Sequence, residues 1–120
     1  MKINQKTGLK RIIYAAKYSY RGLRHNIIYE AAFKQEVILA LILIPTALVV
    51  DVTKLERILL IFSLVLILIV ELLNTAIEAT VDRIGLQFNA LSGLAKDTGS
   101  AAVLMTCFLC AFTWVAILFF

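Results

Sequence analysis

The sequence predicts an all-α membrane protein in which each chain has three transmembrane helices and an N-terminal amphipathic helix on the membrane surface. Of its 120 residues, 62% are hydrophobic, and the mean hydropathy is +0.92. Soluble domains are roughly 45–50% apolar, so a soluble core of this size could not absorb the excess. Three apolar segments account for this excess of hydrophobic residues. Each is close in length to the roughly 20 residues that cross about 30 Å of hydrocarbon. The sequence shows no internal repeat and no second domain, and we expect one domain over 1–120.

The N-terminal segment is basic and is expected to lie on the cytoplasmic side of the membrane. Seven basic residues precede Glu30, the first acidic residue: Lys2, Lys6, Lys10, Arg11, Lys17, Arg21 and Arg24. Arg83 and Lys96 fall on the same side after two crossings, so the positive-inside rule places the C-terminus on the periplasmic side. The segment lacks the apolar stretch and cleavage site of a signal peptide, and we expect neither cleavage nor export.

Apolar side chains recur at helical spacing over about residues 6–28, which predicts the surface helix. The stripe consists of Leu9, Ile12, Ile13, Ala16, Tyr20, Leu23 and Ile27. Basic side chains lie beside it, as suits a helix on an anionic leaflet. Arg11 and Tyr18 point away from both groups, on a face that another helix or a ligand can approach. A simple membrane anchor is the alternative, whereas a net charge of only +4 argues against nucleic-acid binding.

The three transmembrane helices are expected over about 31–50, 56–84 and 93–119. Pro45 lies inside the first helix, where neighbouring helices can tolerate a kink. The third helix carries aromatic residues suited to a membrane interface, namely Trp114, Phe119 and Phe120.

The connections between these helices differ in length and polarity. A short hairpin, 51–57, joins the first two helices, and a polar stretch, 82–97, with Gly85 and Gly93 as turn residues, separates the last two. Cys107 and Cys110 lie in an apolar run without further ligands, so we interpret them as packing residues.

Polar side chains form one stripe at the end of the second transmembrane helix. On a helical wheel an arc about 100° wide contains Glu71, Asn74, Thr75, Glu78 and Asp82. If the hydrocarbon ends near Ile77, Glu71 lies about 9 Å inside it. A carboxylate at the bilayer centre costs about 2.5–3.5 kcal/mol, so such groups normally face a protein interior or water and mark a functional site. The alternatives are a polar cluster that holds helices together, and for Asp82 a simple pair with Arg83 or another interfacial cation.

Carboxylates beside an amide, near a cytoplasmic loop with Lys96 and Asp97, suit a divalent cation with a polyphosphate. Mg²⁺ prefers oxygen ligands and commonly takes one or two carboxylates together with phosphate and water oxygens. A buried Glu71 suits a general base that acts on an alcohol. The pattern therefore indicates phosphoryl transfer at a membrane surface. The sequence has no P-loop or protein-kinase motif, and an ion or proton transporter is a competing interpretation.

Three segments resemble one known family over nearly the whole chain: NIIYEAAFKQE (26–36), IVELLNTAIEATVDRIG (69–85) and LSGLAKDTGSAAVL (91–104). The spacing E-x-x-N-x-x-x-E followed by A-K-D is similar to that of the prokaryotic integral-membrane diacylglycerol kinases. That family includes the diacylglycerol kinases of Gram-negative bacteria and the undecaprenol kinases of Gram-positive bacteria. The EAAFKQE and LSGLAKDTGSAAVL segments resemble the Gram-negative branch.

The resemblance implies a homotrimer whose active sites lie near the cytoplasmic interface and are shared between subunits. By position, Glu71 would accept the proton of the lipid hydroxyl, Asn74 would position neighbouring groups, and Glu30 and Glu78 would hold Mg²⁺. Contacts with ATP would come from Arg11, Tyr18, Glu30, Glu78, Gln87, Phe88, Asn89, Lys96 and Asp97.

The resemblance also implies a set of residues that contact the diacylglycerol substrate. They are Ala15, Ala16, Ser19, Tyr20, Ala32, Phe33, Lys34, Gln35, Glu36, Glu71, Ser100 and Trp114. The sequence departs from the family pattern at two places. Gln87-Phe88-Asn89 replaces the common Glu-Tyr-His, which changes the side chains but not the backbone groups, and Lys34 replaces a common arginine.

The sequence thus predicts ATP-dependent phosphorylation of 1,2-diacylglycerol to phosphatidate, by direct in-line transfer and without a phosphoenzyme. Phosphorylation of a polyprenol such as undecaprenol at the same site is one alternative. A carboxylate-lined transporter or a purely structural bundle is the alternative from another class.

Overall fold

The computed structural model describes residues 7–120, and this part of the chain is entirely helical apart from its turns. Its helices are α1 (Leu9–Tyr29), α2 (Ala31–Val49), α3 (Lys54–Ile84) and α4 (Ala90–Phe119). The last three are long and apolar enough to cross a membrane. The predicted all-α fold with three membrane-crossing helices is therefore confirmed. Lys2 and Lys6, at which the basic segment and the surface helix were predicted to begin, lie outside the described residues.

A single extended residue, Glu30, separates α1 from α2. Its backbone has φ −102° and ψ 108°, and it serves both as the C-cap of α1 and as the N-cap of α2. Its N–H donates to the carbonyl oxygen of Asn26 at 3.0 Å, and its own carbonyl accepts from the N–H of Lys34 at 3.0 Å. Because the helical hydrogen bonds run up to this residue on both sides, the chain changes direction there without a loop.

The turn between α2 and α3 is held by a capping box and by one arginine. The Thr53 hydroxyl accepts from the N–H of Glu56, and the Glu56 carboxylate accepts from the N–H of Thr53, which satisfies two donors at the start of α3. The Arg57 guanidinium donates to the carbonyl oxygens of Ala47 at 2.9 Å, Leu48 at 2.6 Å and Val52 at 3.3 Å. Two of these carbonyls belong to the last turn of α2, where helical partners are missing.

The turn between α3 and α4 is shorter than the polar composition of 82–97 indicated. Only residues 85–89 lie outside the two helices, because α4 already begins at Ala90. The Asn89 side chain explains this early start, since it accepts hydrogen bonds from the N–H groups of Leu91 and Ser92 and so caps the helix. Gly93 was expected to mark a turn but lies within α4.

Helix α3 packs against both α2 and α4, and a cluster of buried apolar residues lies in the half of the bundle near the α2–α3 turn. Its buried members are Ala47, Leu60, Leu64, Ile67, Cys110 and Trp114. Both cysteines are free thiols, and the buried Cys110 accepts a hydrogen bond from the Ser63 hydroxyl at 3.4 Å, in agreement with a packing role. Trp114, which the sequence analysis assigned to a membrane interface, is instead buried, and its indole N–H donates to the Leu60 carbonyl at 3.2 Å. A partner for the N–H inside the bundle explains this position.

We predict that Arg57→Met lowers the free energy of unfolding by about 2 kcal/mol, because charged hydrogen bonds to carbonyls at the helix end are lost. The free energy of unfolding of Arg57→Lys should lie between those of the wild type and Arg57→Met, because one ammonium group cannot reach all three carbonyls. Denaturant unfolding of the purified protein in detergent, followed by helical circular dichroism, measures the change.

The control is Lys54→Met, which removes an exposed cation from the start of α3. This substitution should leave stability unchanged or raise it slightly, because a positive charge is unfavourable at a helix N-terminus. Equal losses in the Arg57→Met and Lys54→Met variants would contradict the assigned role of Arg57.

Candidate active site

The polar stripe of α3 faces the interior of the helix bundle. Glu71 and Asn74 are each only 7% exposed to solvent, and Glu78, one helical turn after Asn74, is half-buried. Asp82 is exposed at the end of the stripe. A carboxylate that is buried within a membrane-crossing helix is costly and normally marks function, so this stripe is the candidate site.

Carboxyl groups from other parts of the chain converge on Glu71. The carboxyl group of Glu36, from α2, faces that of Glu71 at interacting distance. Glu78 and Glu30 also lie close enough for their charges to act on Glu71. One Glu36 oxygen is buried without a hydrogen-bond partner in the described part of the chain. A carboxyl group in a low-dielectric bundle needs a proton, a polar partner or a cation to offset its charge.

Asn74 links the buried and the half-buried parts of the stripe. Its side-chain Nδ2 donates to Oε1 of Glu78 at 3.2 Å. Its Oδ1 is buried, lacks a hydrogen-bond partner among residues 7–120, and lies against the backbone of Gly99 on α4. The amide therefore holds the Glu78 carboxylate in one orientation.

At the outer end of the stripe, Lys96 of α4 forms an ion pair with Asp82 of α3. The Nζ and Oδ1 atoms are 2.6 Å apart, and both side chains are about half-exposed. The charge of Glu78 also acts on Lys96. Of the partners considered for Asp82 from the sequence, the interfacial cation is thus Lys96.

The ion pair borders a pocket at the α3–α4 turn that contains several residues predicted to contact ATP. The predicted residues in its lining are Gln87, Phe88, Asn89 and Lys96. Phe88 is almost fully exposed, and the Asn89 side chain is engaged as the cap of α4. Asp97, which follows Lys96 in α4, is exposed and is not part of the pocket lining.

The predicted ATP contacts on α1 lie apart from the carboxylates within one chain. Arg11 and Tyr18 are both exposed. At 1.5 Å of rise per residue, Arg11 is roughly 28 Å along the helix from Glu30. The Arg21 guanidinium lies over the Tyr18 ring, 5.9 Å from its centroid. A single chain therefore does not bring Arg11 to the site.

The residues predicted to contact the lipid divide into three groups. Those on α1 (Ala15, Ala16, Ser19, Tyr20) are exposed, and the Ser19 hydroxyl donates to the Ala15 carbonyl at 2.9 Å. At the start of α2, Ala32, Lys34 and Gln35 are exposed, whereas Phe33 is buried. Glu36 and Trp114 line one apolar groove between α2 and α4, and Ser100 is exposed on α4.

The stripe contains carboxylate oxygens, which are the kind of ligand that Mg²⁺ prefers. Among residues 7–120 no group of three His, Cys, Asp or Glu side chains is arranged as a metal site. Two carboxylates, from Glu30 and Glu78, are near Glu71 and are the number that Mg²⁺ commonly uses when phosphates and water supply the other positions.

Two features of this site escaped the sequence analysis. The first is that Glu36 faces Glu71, because periodicity places residues on one helix but does not give the register between two helices. The second is Gly99, whose buried position against Asn74 depends on the same register. The capping box at Thr53 and Glu56, by contrast, was readable from the T-x-x-E spacing.

Comparisons with known proteins give matches over nearly the whole chain. Residues 17–118 match the family model of the prokaryotic diacylglycerol kinases. Diacylglycerol kinase of Escherichia coli (strain K12) is 51% identical over 115 residues, which cover 96% of this chain and 94% of the relative. The enzymes of Haemophilus influenzae and Pseudomonas aeruginosa are 46% identical over 114 residues and 51% identical over 112 residues. These alignments cover 95% and 93% of this chain, and 97% and 91% of the relatives.

This chain belongs to the prokaryotic diacylglycerol kinase family. Its three apolar helices and its bacterial relatives fit a multi-pass protein of the inner membrane.

Proposed function

We propose that this protein transfers the γ-phosphoryl group of ATP to the free hydroxyl group of 1,2-diacylglycerol and so forms phosphatidate and ADP. The observation that carries the proposal is the convergence of Glu30, Glu36 and Glu78 on the buried Glu71. The names of the relatives favour diacylglycerol over a polyprenol as the lipid. They also argue against a transporter.

In the proposed reaction Glu71 is the general base. Its carboxylate takes the hydroxyl proton of the lipid while the alcohol oxygen forms a bond to the γ-phosphorus and the bond from that phosphorus to the β–γ bridging oxygen breaks. ADP leaves in line, and no phosphoenzyme forms. Burial of Glu71 supports this role, since a carboxylate shielded from water is available to an alcohol at the membrane interface.

Glu30 and Glu78 would hold magnesium with the ATP phosphates. The ion, when bound, offsets the charge that develops on the phosphate oxygens. The backbone position of Glu30 supports its role as a magnesium ligand. Glu30 is the one extended residue between α1 and α2, so both helices fix its position. Asn74 keeps the Glu78 carboxylate oriented through the 3.2 Å hydrogen bond.

The remaining ATP contacts would come from the pocket at the α3–α4 turn and from α1. Lys96 would exchange its partner Asp82 for a phosphate, and Gln87 and the backbone around Phe88 line the same pocket. Asp97 would contact the nucleotide from the next position of α4. The distance of roughly 28 Å along α1 between Arg11 and Glu30 supports a homotrimer with shared sites, in which α1 serves the site of a neighbouring subunit.

We further infer that α1 lies on the cytoplasmic surface of the membrane, with the C-terminus on the periplasmic side. Large apolar side chains on α1 are exposed in the single chain, including Leu9, Ile12 and Ile13, as a lipid-facing stripe requires. The basic residues of the same helix would contact anionic headgroups. This placement sets the site at the inner-leaflet interface, where ATP and the lipid hydroxyl meet.

We predict that Glu71→Gln lowers the turnover of diacylglycerol by roughly 10²–10⁴-fold, because the general base is lost. Purified protein in mixed micelles, with Mg²⁺ and ATP, is assayed for phosphatidate and for lipid-dependent ADP. Undecaprenol is offered in parallel, and the wild type should prefer diacylglycerol.

The control is Asp51→Asn, which removes an exposed carboxylate at the opposite end of the bundle and should leave turnover unchanged. Retention of near-wild-type turnover by Glu71→Gln, with normal helix content, would rule out Glu71 as the base. Failure of the wild type to release lipid-dependent ADP would refute the kinase function itself.

We predict that Asp82→Asn lowers the KM for ATP, by at most about fivefold, because Lys96 no longer has to leave an ion partner and exposed ion pairs are weak. Water screens this ion pair, which keeps the expected change small. Steady-state kinetics with varied ATP and saturating lipid measure the change. A higher KM would show instead that Asp82 positions Lys96 for the nucleotide.

A further inference from the structure

Gly99 is a buried glycine of α4 that lies directly against the site residue Asn74 of α3. A Cβ atom built on Gly99 would collide with Oδ1 of Asn74 and would lie 3.3 Å from its Cγ and 3.7 Å from Cδ1 of Ile77. Gly93, on the same helix, has no such neighbour within 4 Å. The two glycines therefore differ in what a side chain would meet, although both lie in one helix.

The group that would yield to a side chain at Gly99 is the Asn74 amide. The nearest neighbours of the added Cβ are side-chain atoms of Asn74 and Ile77, and the Asn74 amide can rotate about its own side-chain bonds. Rotation would carry Nδ2 away from Oε1 of Glu78, with which it forms a 3.2 Å hydrogen bond. The collision would thus be relieved at the expense of this hydrogen bond.

The orientation of the amide is fixed by the same two neighbours. With Nδ2 on Glu78, the buried Oδ1 has no hydrogen-bond partner within residues 7–120 and rests on the backbone of Gly99. The reversed orientation would place an amide oxygen against a carboxylate oxygen, and two acceptors repel each other. Glu78 therefore selects the orientation, and Gly99 leaves the space for it.

We propose that Gly99 is a positioning residue, whose missing side chain seats the Asn74 amide so that Asn74 orients the Glu78 carboxylate. The inference rests on the proposed function, since it assigns Gly99 a task in the same site. It goes beyond that function because Gly99 itself touches neither of the substrates and acts through Asn74.

The test compares Gly99→Ala with the control Ala102→Leu, which adds side-chain volume at an exposed position of the same helix. Gly99→Ala should lower kcat roughly 10–100-fold, as expected for a misplaced catalytic group, and should raise the Mg²⁺ concentration needed for half-maximal activity. Ala102→Leu should retain wild-type kinetics. Alanine and leucine are good helix formers, so both variants should keep the helix content of the wild type. Wild-type kinetics in Gly99→Ala would overturn the proposal.

A double-substitution cycle separates positioning from a general packing defect. In the Asn74→Ala background, adding Gly99→Ala should cause no further loss of turnover, because the amide through which Gly99 acts is absent. A further loss as large as that in the wild-type background would show that Gly99 acts independently of Asn74 and would overturn the proposal.

A spectroscopic measurement tests the inference without relying on turnover. In protein labelled with ¹⁵N-asparagine, the Asn74 side-chain amide signal is assigned by its absence in Asn74→Ala. This signal should shift in Gly99→Ala and stay in place in Ala102→Leu. An unchanged signal in Gly99→Ala would refute the positioning role even if the protein is a kinase. Absence of lipid kinase activity in the wild type, together with the expected shift, would refute only the function.

Discussion

The burial of carboxyl groups inside an apolar helix bundle is the constraint on which the rest of this structure depends. Glu71 is 7% exposed in a helix whose other faces are apolar, and Glu36 faces it from α2. Charges in such a place are stable only if a cation, a proton or a polar partner offsets them. In the proposed enzyme the magnesium–ATP complex supplies that offset, so the groups that make the empty site unfavourable are also those that bind the substrate.

Local structure places these groups without the help of long loops. One extended residue, Glu30, turns the chain from α1 into α2 and carries a carboxylate to the site. The Asn89 cap starts α4 early enough for Lys96 to reach Asp82 at 2.6 Å. At the other end, Arg57 and the capping box hold the α2–α3 turn, away from the chemistry. The hydrogen-bonded α2–α3 turn and the proposed site thus lie at opposite ends of α3.

Much of this organisation follows from sequence periodicity, and the remainder depends on contacts between helices. A period of 3.6 residues places Glu71, Asn74 and Glu78 on one face, and an apolar composition on the other faces predicts the spans. The pairing of Glu36 with Glu71 and the contact of Gly99 with Asn74 need the register of α3 against its neighbours, which no local pattern contains. Arg11 illustrates a further limit, because its proposed place in the site depends on a neighbouring subunit. The buried indole N–H of Trp114 donates to the Leu60 carbonyl, a partner that becomes available only when α3 and α4 pack together.

The central claim is that the carboxylates of α3 gather around a metal–nucleotide complex rather than around each other. Its most direct test is a titration with Mn²⁺, a paramagnetic substitute for Mg²⁺. Electron paramagnetic resonance measures the concentration of free Mn²⁺, with and without a non-hydrolysable ATP analogue. The wild type should bind Mn²⁺ much more tightly with the nucleotide than without it, and Glu78→Gln should lose most of that difference. Equal nucleotide-dependent Mn²⁺ binding in Glu78→Gln and the wild type would contradict the account.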